Sequence, residues 1–144
     1  MYISSVLALA LAVVTIHACP PGTFGCDHPG NFTGNLTLLV NPAAAYCSSG
    51  SETSIYASIP ASFFNPPECL SRDDLSESPC GAPLNITNPR TKKTILATVL
   101  GECTTCAGDD IQLTTAGLAA LSPNGKARKA PATVDWTFDT AATE

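Results

Sequence analysis

The stretch Thr94-Ile95-Leu96-Ala97-Thr98-Val99-Leu100-Gly101 decides the fold. Side chains alternate between the two faces of a strand, so Ile95, Ala97 and Val99 share one face and Leu96, Thr98 and Leu100 the other. A strand apolar on both faces belongs in the middle of a sheet, covered from both sides. Further on, Thr133-Val134-Asp135-Trp136-Thr137-Phe138 alternates strictly and reads as the closing strand. Val134, Trp136 and Phe138 point inward, with Asp135, Thr137 and Asp139 outward, because an unpaired charge inside would be costly.

Upstream, Leu36, Leu38 and Val40 alternate with Thr37 and Leu39, a strand ended by Asn41-Pro42. Ser54 to Ile59 is a second extended segment, with Ile55, Ala57 and Ile59 on one face, and Ala45 to Ser51 is a loop carrying Cys47. Pro60 opens a short turn or helical step through Phe63 and Phe64. Asn65 to Ser78, with its paired prolines and charges, reads as an exposed excursion holding Cys69. Leu84 to Thr87 and Ile111 to Leu113 are two further strands, separated from their neighbours by turns such as Asn88-Pro89-Arg90-Thr91. Thr114 followed by Ala116 to Leu121 gives the one convincing helix, with Thr114 as its cap and Pro123 and Gly125 as its stop. Several short strands, one helix and no repeat predict an all-β fold, a small barrel rather than a parallel sheet.

With 44% apolar and 13% charged residues in 144, the chain is not a solvated disordered one, and one small domain is expected. A net charge of −5 provides no overall basic field for nucleic acid or an anionic membrane, so neither is an expected partner. The apolar run Val6 to Ile16, followed by His17-Ala18, reads as a secretory signal peptide over residues 1–18 and is too short to span a bilayer. Residues 19–30 then form an arm holding Cys19 and Cys26, residues 31–140 the barrel, and residues 141–144 a tail. Seven cysteines in a short exported chain read as disulfide staples, though counting cannot assign their partners. Cys103-Thr104-Thr105-Cys106 lacks the second CxxC or the histidines of a zinc site and the βαβ pattern of a redox dithiol, and reads as structural. No metal or cofactor is expected. Asn31, Asn35 and Asn85 each begin an acceptor triplet for N-glycosylation, which suits an extracellular surface.

The segments Cys80 to Thr87, Ala97 to Cys106, Ile111 to Thr114 and Val134 to Phe138, in that order and spacing, resemble the rare-lipoprotein-A-like double-psi β-barrel superfamily. That superfamily takes in the first domain of expansins, the loosenins, barwin, the kiwellins and many single-domain secreted fungal proteins, the last being the nearest in kind. Phe32 to Leu39 and Ala45-Tyr46-Cys47 look like its opening strand and first loop. The resemblance implies a six-stranded double-psi barrel with one or two short helices. It also implies a bridge between Cys47 and Cys80 and a second between Cys103 and Cys106, leaving Cys19, Cys26 and Cys69 as extras.

In the lytic members and the expansins, the segment matching Ile111 to Thr114 places an aspartate in an open polysaccharide groove. Here Gln112 stands there. A carboxylic acid can protonate a departing glycosidic oxygen, whereas a neutral amide only hydrogen-bonds. Glu102 and Asp110 are the carboxylates that could face the same groove, against the plainer readings of a loop anchor and a turn residue. Asp109 reads as a turn residue too. No catalytic residue is assigned, and His28, the one histidine beyond residue 18, sits in the arm. Trp136 reads as core, with sugar stacking as its other use. Arg90, Lys92 and Lys93 read as a solvated hairpin tip or a contact for an acidic partner or polysaccharide.

The expectation is a secreted, non-catalytic, expansin- or loosenin-like monomer that binds or loosens cell-wall polysaccharide. The alternative is a protein-binding module, a protease inhibitor or host-directed effector of kiwellin type, with an extracellular protein as partner.

Overall fold

The computed structural model describes residues 28–64 and 78–140. The expectations for the signal peptide, Cys19, Cys26, Cys69, the tail, nearly all of the arm and all of the 65–78 excursion except Ser78 lie outside them. Six strands, β1 (Phe32–Leu38), β2 (Tyr56–Pro60), β3 (Pro83–Thr87), β4 (Thr94–Cys103), β5 (Ile111–Leu113) and β6 (Thr133–Phe138), close into one barrel in the order β1-β5-β2-β4-β3-β6. The sheet is mixed, since β1 runs parallel to β5 and β2 to β4 while the other four pairings are antiparallel. This is the double-psi barrel that the sequence resembles. Among the described residues no helix is long and apolar enough to cross a membrane.

The inner face is aliphatic. Ile59, Leu84, Ile86, Ile111, Leu113 and Val134 are wholly buried, and each belongs to the inward set of its strand. Trp136 is 1% exposed and donates its indole N–H to the Asp109 carbonyl at 2.8 Å, so the alternation of β6 places its ring in the core. Phe32 stacks on it at a centroid distance of 4.3 Å, and Phe63 and Phe138 meet it edge-on.

β1 starts earlier than the apolar alternation suggests, at Phe32, and ends before Val40, which is exposed. Asn31, Gly34 and Asn35 disguise it, and Gly34 has a reason of its own. A Cβ there would overlap the Asp109 carbonyl, where the chain entering β5 crosses β1. β2 is likewise shifted, to Tyr56–Pro60, with Ile55 outside the strand but packed on the core.

β4 lies between β2 and β3 as expected, but its outer face is covered in only one half. Leu96 is exposed, whereas Leu100 is buried. A bulge accounts for this: Ala57 pairs with Val99 and Ser58 with Gly101, so Leu100 is an extra residue and the register slips. The loop over residues 45–50 lies against this outer half, with Cys47 N–H donating to the Leu100 carbonyl at 2.9 Å. Gly101 permits the approach, since a Cβ there would stand 2.9 Å from the Tyr46 nitrogen. Cys47 is bonded to Cys80, just ahead of β3, which straps the loop down, and Cys103 is bonded to Cys106 at the far end of β4.

The helix, α1 (Thr115–Leu121), packs on β4 and β5 through Gly117, Leu118 and Leu121. Thr114 does not cap it in the way the sequence suggests. Its hydroxyl makes no capping bond and instead donates to the Ser54 carbonyl at 2.6 Å and accepts from Tyr56 N–H at 3.2 Å. Burial explains the choice: Thr114 is fully enclosed beside β2, where two backbone groups need a partner.

Candidate functional site

Residues opposite one another in a ladder share a face, so register alone shows which side chains line up across the barrel. Thr37 pairs with Gln112, Gln112 with Ser58, and Ser58 with Gly101. These four positions form one row across β1, β5, β2 and β4, about 14 Å long at the usual strand spacing. Ile111 and Leu113, flanking Gln112, are wholly buried, which turns the Gln112 amide to the outside of the barrel. The row is open at Thr37 and Gln112 and closed at Ser58 and Gly101, where Ala45 and Tyr46 pass over it. Tyr46 itself is 72% exposed, and its ring rests edge-on against Phe64 at 5.5 Å.

No member of the row carries an ionisable group. Glu102 pairs with Ile59, the residue after Ser58, and neighbouring residues of a strand face opposite ways. Register therefore separates the Glu102 carboxylate from Gln112 by the thickness of the sheet. Asp110 stands at the entry to β5, where its Oδ1 accepts the Asn35 backbone N–H at 2.7 Å. This charge-assisted bond ties β1 to the chain entering β5 and occupies the carboxylate as an anchor. Asp109 serves through its backbone, as the acceptor for Trp136. Glu102 is thus set apart from Gln112 by register, Asp110 stands two residues before Gln112 with its carboxylate engaged by Asn35, and the row itself offers hydroxyl and amide groups alone. Among the described residues no three His, Cys, Asp or Glu side chains gather where they could hold a metal ion.

His28 packs edge-on to Phe63 at 5.6 Å, beside the ring cluster and away from the row. Of the three acceptor asparagines, Asn31 and Asn35 are exposed, and Asn85 is half-buried on the outward face of β3 between β4 and β6. Thr37, Ser58 and Tyr46 were not singled out by the sequence. They come from three separate segments: the parallel pairing of β1 with β5 and the antiparallel pairing of β2 with β5 place Thr37 and Ser58 beside Gln112, and Tyr46 passes over Gly101, which is opposite Ser58 in β4.

No protein-family model and no curated protein matches the chain. Solved structures do. A Streptomyces papain inhibitor superposes with a TM-score of 0.57 at 22% identity, covering 76% of this chain and 94% of the inhibitor. The apo form of an expansin from Clavibacter michiganensis superposes with a TM-score of 0.57 at 15% identity, covering 80% of this chain and 52% of the expansin. A point variant of the Clavibacter michiganensis expansin in complex with cellohexaose gives a TM-score of 0.52 at 15% identity. The chain therefore spans about half the length of the expansins and nearly all of the inhibitor. At these identities the likeness establishes the fold, a double-psi-like barrel shared by proteins of different occupation.

Proposed function

We propose that the protein is a secreted, non-catalytic barrel that binds cell-wall polysaccharide along the row from Thr37 to Gln112, with the exposed Tyr46 as a flanking ring. The observation that carries this reading is the neutrality of the row: hydroxyl and amide groups hydrogen-bond to sugar hydroxyls, and an exposed aromatic face suits the apolar side of a pyranose. With an amide at Gln112 and the nearby Asp110 carboxylate engaged by the Asn35 N–H, a bound chain is held and not cut. The cellohexaose complex of the related expansin supports a glucan as the first ligand to try. Secretion through the signal peptide, two disulfides, a monomeric state and glycans on Asn31, Asn35 or Asn85 complete the picture.

The test is a depletion assay on insoluble cellulose and chitin with the wild-type protein, Tyr46→Ala and Gln112→Ala. Retention of the wild type, weakened in both variants without release of reducing sugars, is expected. Failure of the wild type to bind either polymer, or equal retention of both variants, overturns the assignment of the row.

A protein partner is the second reading, and one observation favours it. The match covers 94% of the papain inhibitor and 52% of the apo expansin, so in extent this chain is closer to the inhibitor. A stoichiometric complex with a cysteine protease, blocking its activity, would establish that reading in place of the first.

A further inference from the structure

The chain has seven lysines and arginines. Six lie among the described residues, in two groups far apart in sequence: Arg90, Lys92 and Lys93 in the β3–β4 turn, and Lys126, Arg128 and Lys129 after α1. The fold brings the groups to one end of the barrel. Asn88, buried at the root of the turn, donates its amide to the Leu121 carbonyl at 3.1 Å, and the 3-10 turn Ala127–Lys129 packs on the same helix. All six side chains are exposed, and none has an ion-pair or hydrogen-bond partner among the described residues.

Most of the described carboxylates are elsewhere. Glu102, Asp109, Asp110 and Asp139 stand at the opposite end, where β4 and β6 finish and β5 begins. Asp135 is the one described carboxylate near the turn, opposite Thr87 at the end of β3, and its Oδ1 accepts the Thr33 hydroxyl of β1 at 2.8 Å; Glu52 meets the first turn of α1, away from Leu121. A chain with a net charge of −5 thus gathers six cations at one end, and among the described residues they make no ion pair.

We infer that this end is a binding surface for an acidic polysaccharide, a polymer of uronic acid type whose carboxylates recur along an extended chain. The backbone beneath the charges is already fixed: Asn88 Oδ1 accepts Arg90 N–H at 3.0 Å and Thr91 N–H at 3.3 Å, and Lys129 N–H donates to the Lys126 carbonyl at 2.8 Å. Little order has to be imposed when a ligand arrives. Four of the six cations are lysines, point charges on flexible stems that follow a spaced row of carboxylates and lack the planar fork suited to phosphate. The end of α1 at the patch is its carbonyl end, which repels a compact anion instead of cradling it. Neither basic segment contains an aromatic residue, so there is no platform for nucleic-acid bases and no wedge for a bilayer. None of the six cations belongs to the Thr37–Gln112 row, and the ligand of this surface is charged where that of the row is neutral. The choice of a polysaccharide as the polymer rests on the reading proposed above.

The experiment measures binding of the full-length protein to polygalacturonate, to its fully methyl-esterified form, to phosphatidylserine vesicles and to duplex DNA, at low and moderate salt. The proteins are the wild type, a Lys92→Gln/Lys93→Gln/Lys126→Gln/Lys129→Gln variant, and Tyr46→Ala. The wild type is expected to bind polygalacturonate, to lose it steeply with salt, and to ignore the ester. The quadruple variant is expected to bind about tenfold more weakly or worse, with unchanged tryptophan emission showing an intact fold. Tyr46→Ala should bind polygalacturonate as the wild type does and lose only cellulose or chitin. Equal binding to acid and ester, a quadruple variant that binds as the wild type does, or loss in Tyr46→Ala alone overturns the inference while leaving the row untouched. Vesicles or DNA bound at least as tightly as polygalacturonate overturn it in favour of another class of partner.

Discussion

At one end of the barrel Phe32 stacks on Trp136 at 4.3 Å and Phe63 stands edge-on to both, whereas at the other α1 is fastened by single polar contacts. Asn88 reaches the last carbonyl of α1, and Thr114, just ahead of its first turn, is bound to Ser54 and Tyr56. The ring end draws its stability from buried area shared among many atoms. The helix end adds to the packing of Leu118 and Leu121 a few directed bonds whose loss strands a buried polar group. Substitution at the first should be costly in proportion to volume removed, and at the second in proportion to bonds broken.

The largest effect is expected at the ring end. Trp136→Ala removes the biggest buried side chain and should cost about 3–5 kcal/mol, read by urea unfolding followed by circular dichroism. The wild-type emission, from the sole tryptophan, should be blue-shifted and resist iodide; emission like that of indole in water would break the comparison at its root. Next come the disulfides. Removing Cys47–Cys80, which closes 33 residues, should cost about 3–4 kcal/mol, whereas removing Cys103–Cys106, separated by 3, should cost about 2 kcal/mol. Paired Cys→Ala variants unfolded in urea check both, and equal costs would show that native contacts outweigh loop length.

At the helix end, Asn88→Ala deletes three hydrogen bonds from a side chain 2% exposed and should cost about 1–3 kcal/mol. Hydrogen exchange should show α1 and the β3–β4 turn loosening together while the amides of β6 stay protected. The smallest effect is expected on the outward row. Gln112→Asp should change stability by no more than about 0.5 kcal/mol and release no sugars from cellulose, chitin or peptidoglycan, because the neighbouring Asp110 is held as an anchor by Asn35 and does not form a catalytic pair with the new carboxylate. Hydrolysis by this variant would mean that the missing acid was the only obstacle.

The ring end was the more legible in sequence. The alternation of Val134, Trp136 and Phe138 needs only the two-residue period of a strand, and the structure places all three inward. β1 was harder, because Gly34 and two asparagines look like a turn when the neighbour demanding a glycine is Asp109, 75 residues later. Thr114 sits where a cap should be, yet the competing acceptor at Ser54 belongs to another segment and cannot be seen locally. Gln112 and the Arg90, Lys92 and Lys93 cluster stood out in sequence, but the residues that the fold sets beside each were hidden for the same reason. Net charge averages over the chain, and only the Asn88 to Leu121 bond reveals that two basic segments are one surface.

The pairing of the first strand with the last has a consequence for the order of folding. Thr87 and Thr94 share a hydrogen bond across 7 residues, so the β3–β4 hairpin can form while the rest of the chain is still being made. Thr33 and Asp135 share one across 102, and closing so long a loop is slow because its entropy is lost before any contact rewards it. β1, which can pair with β5 earlier, must therefore wait for β6 to close its other edge. Until β6 arrives, β1 and β3 both present open edges on which a second copy could add a strand, and a chain cut short of Thr133 would keep them open for good.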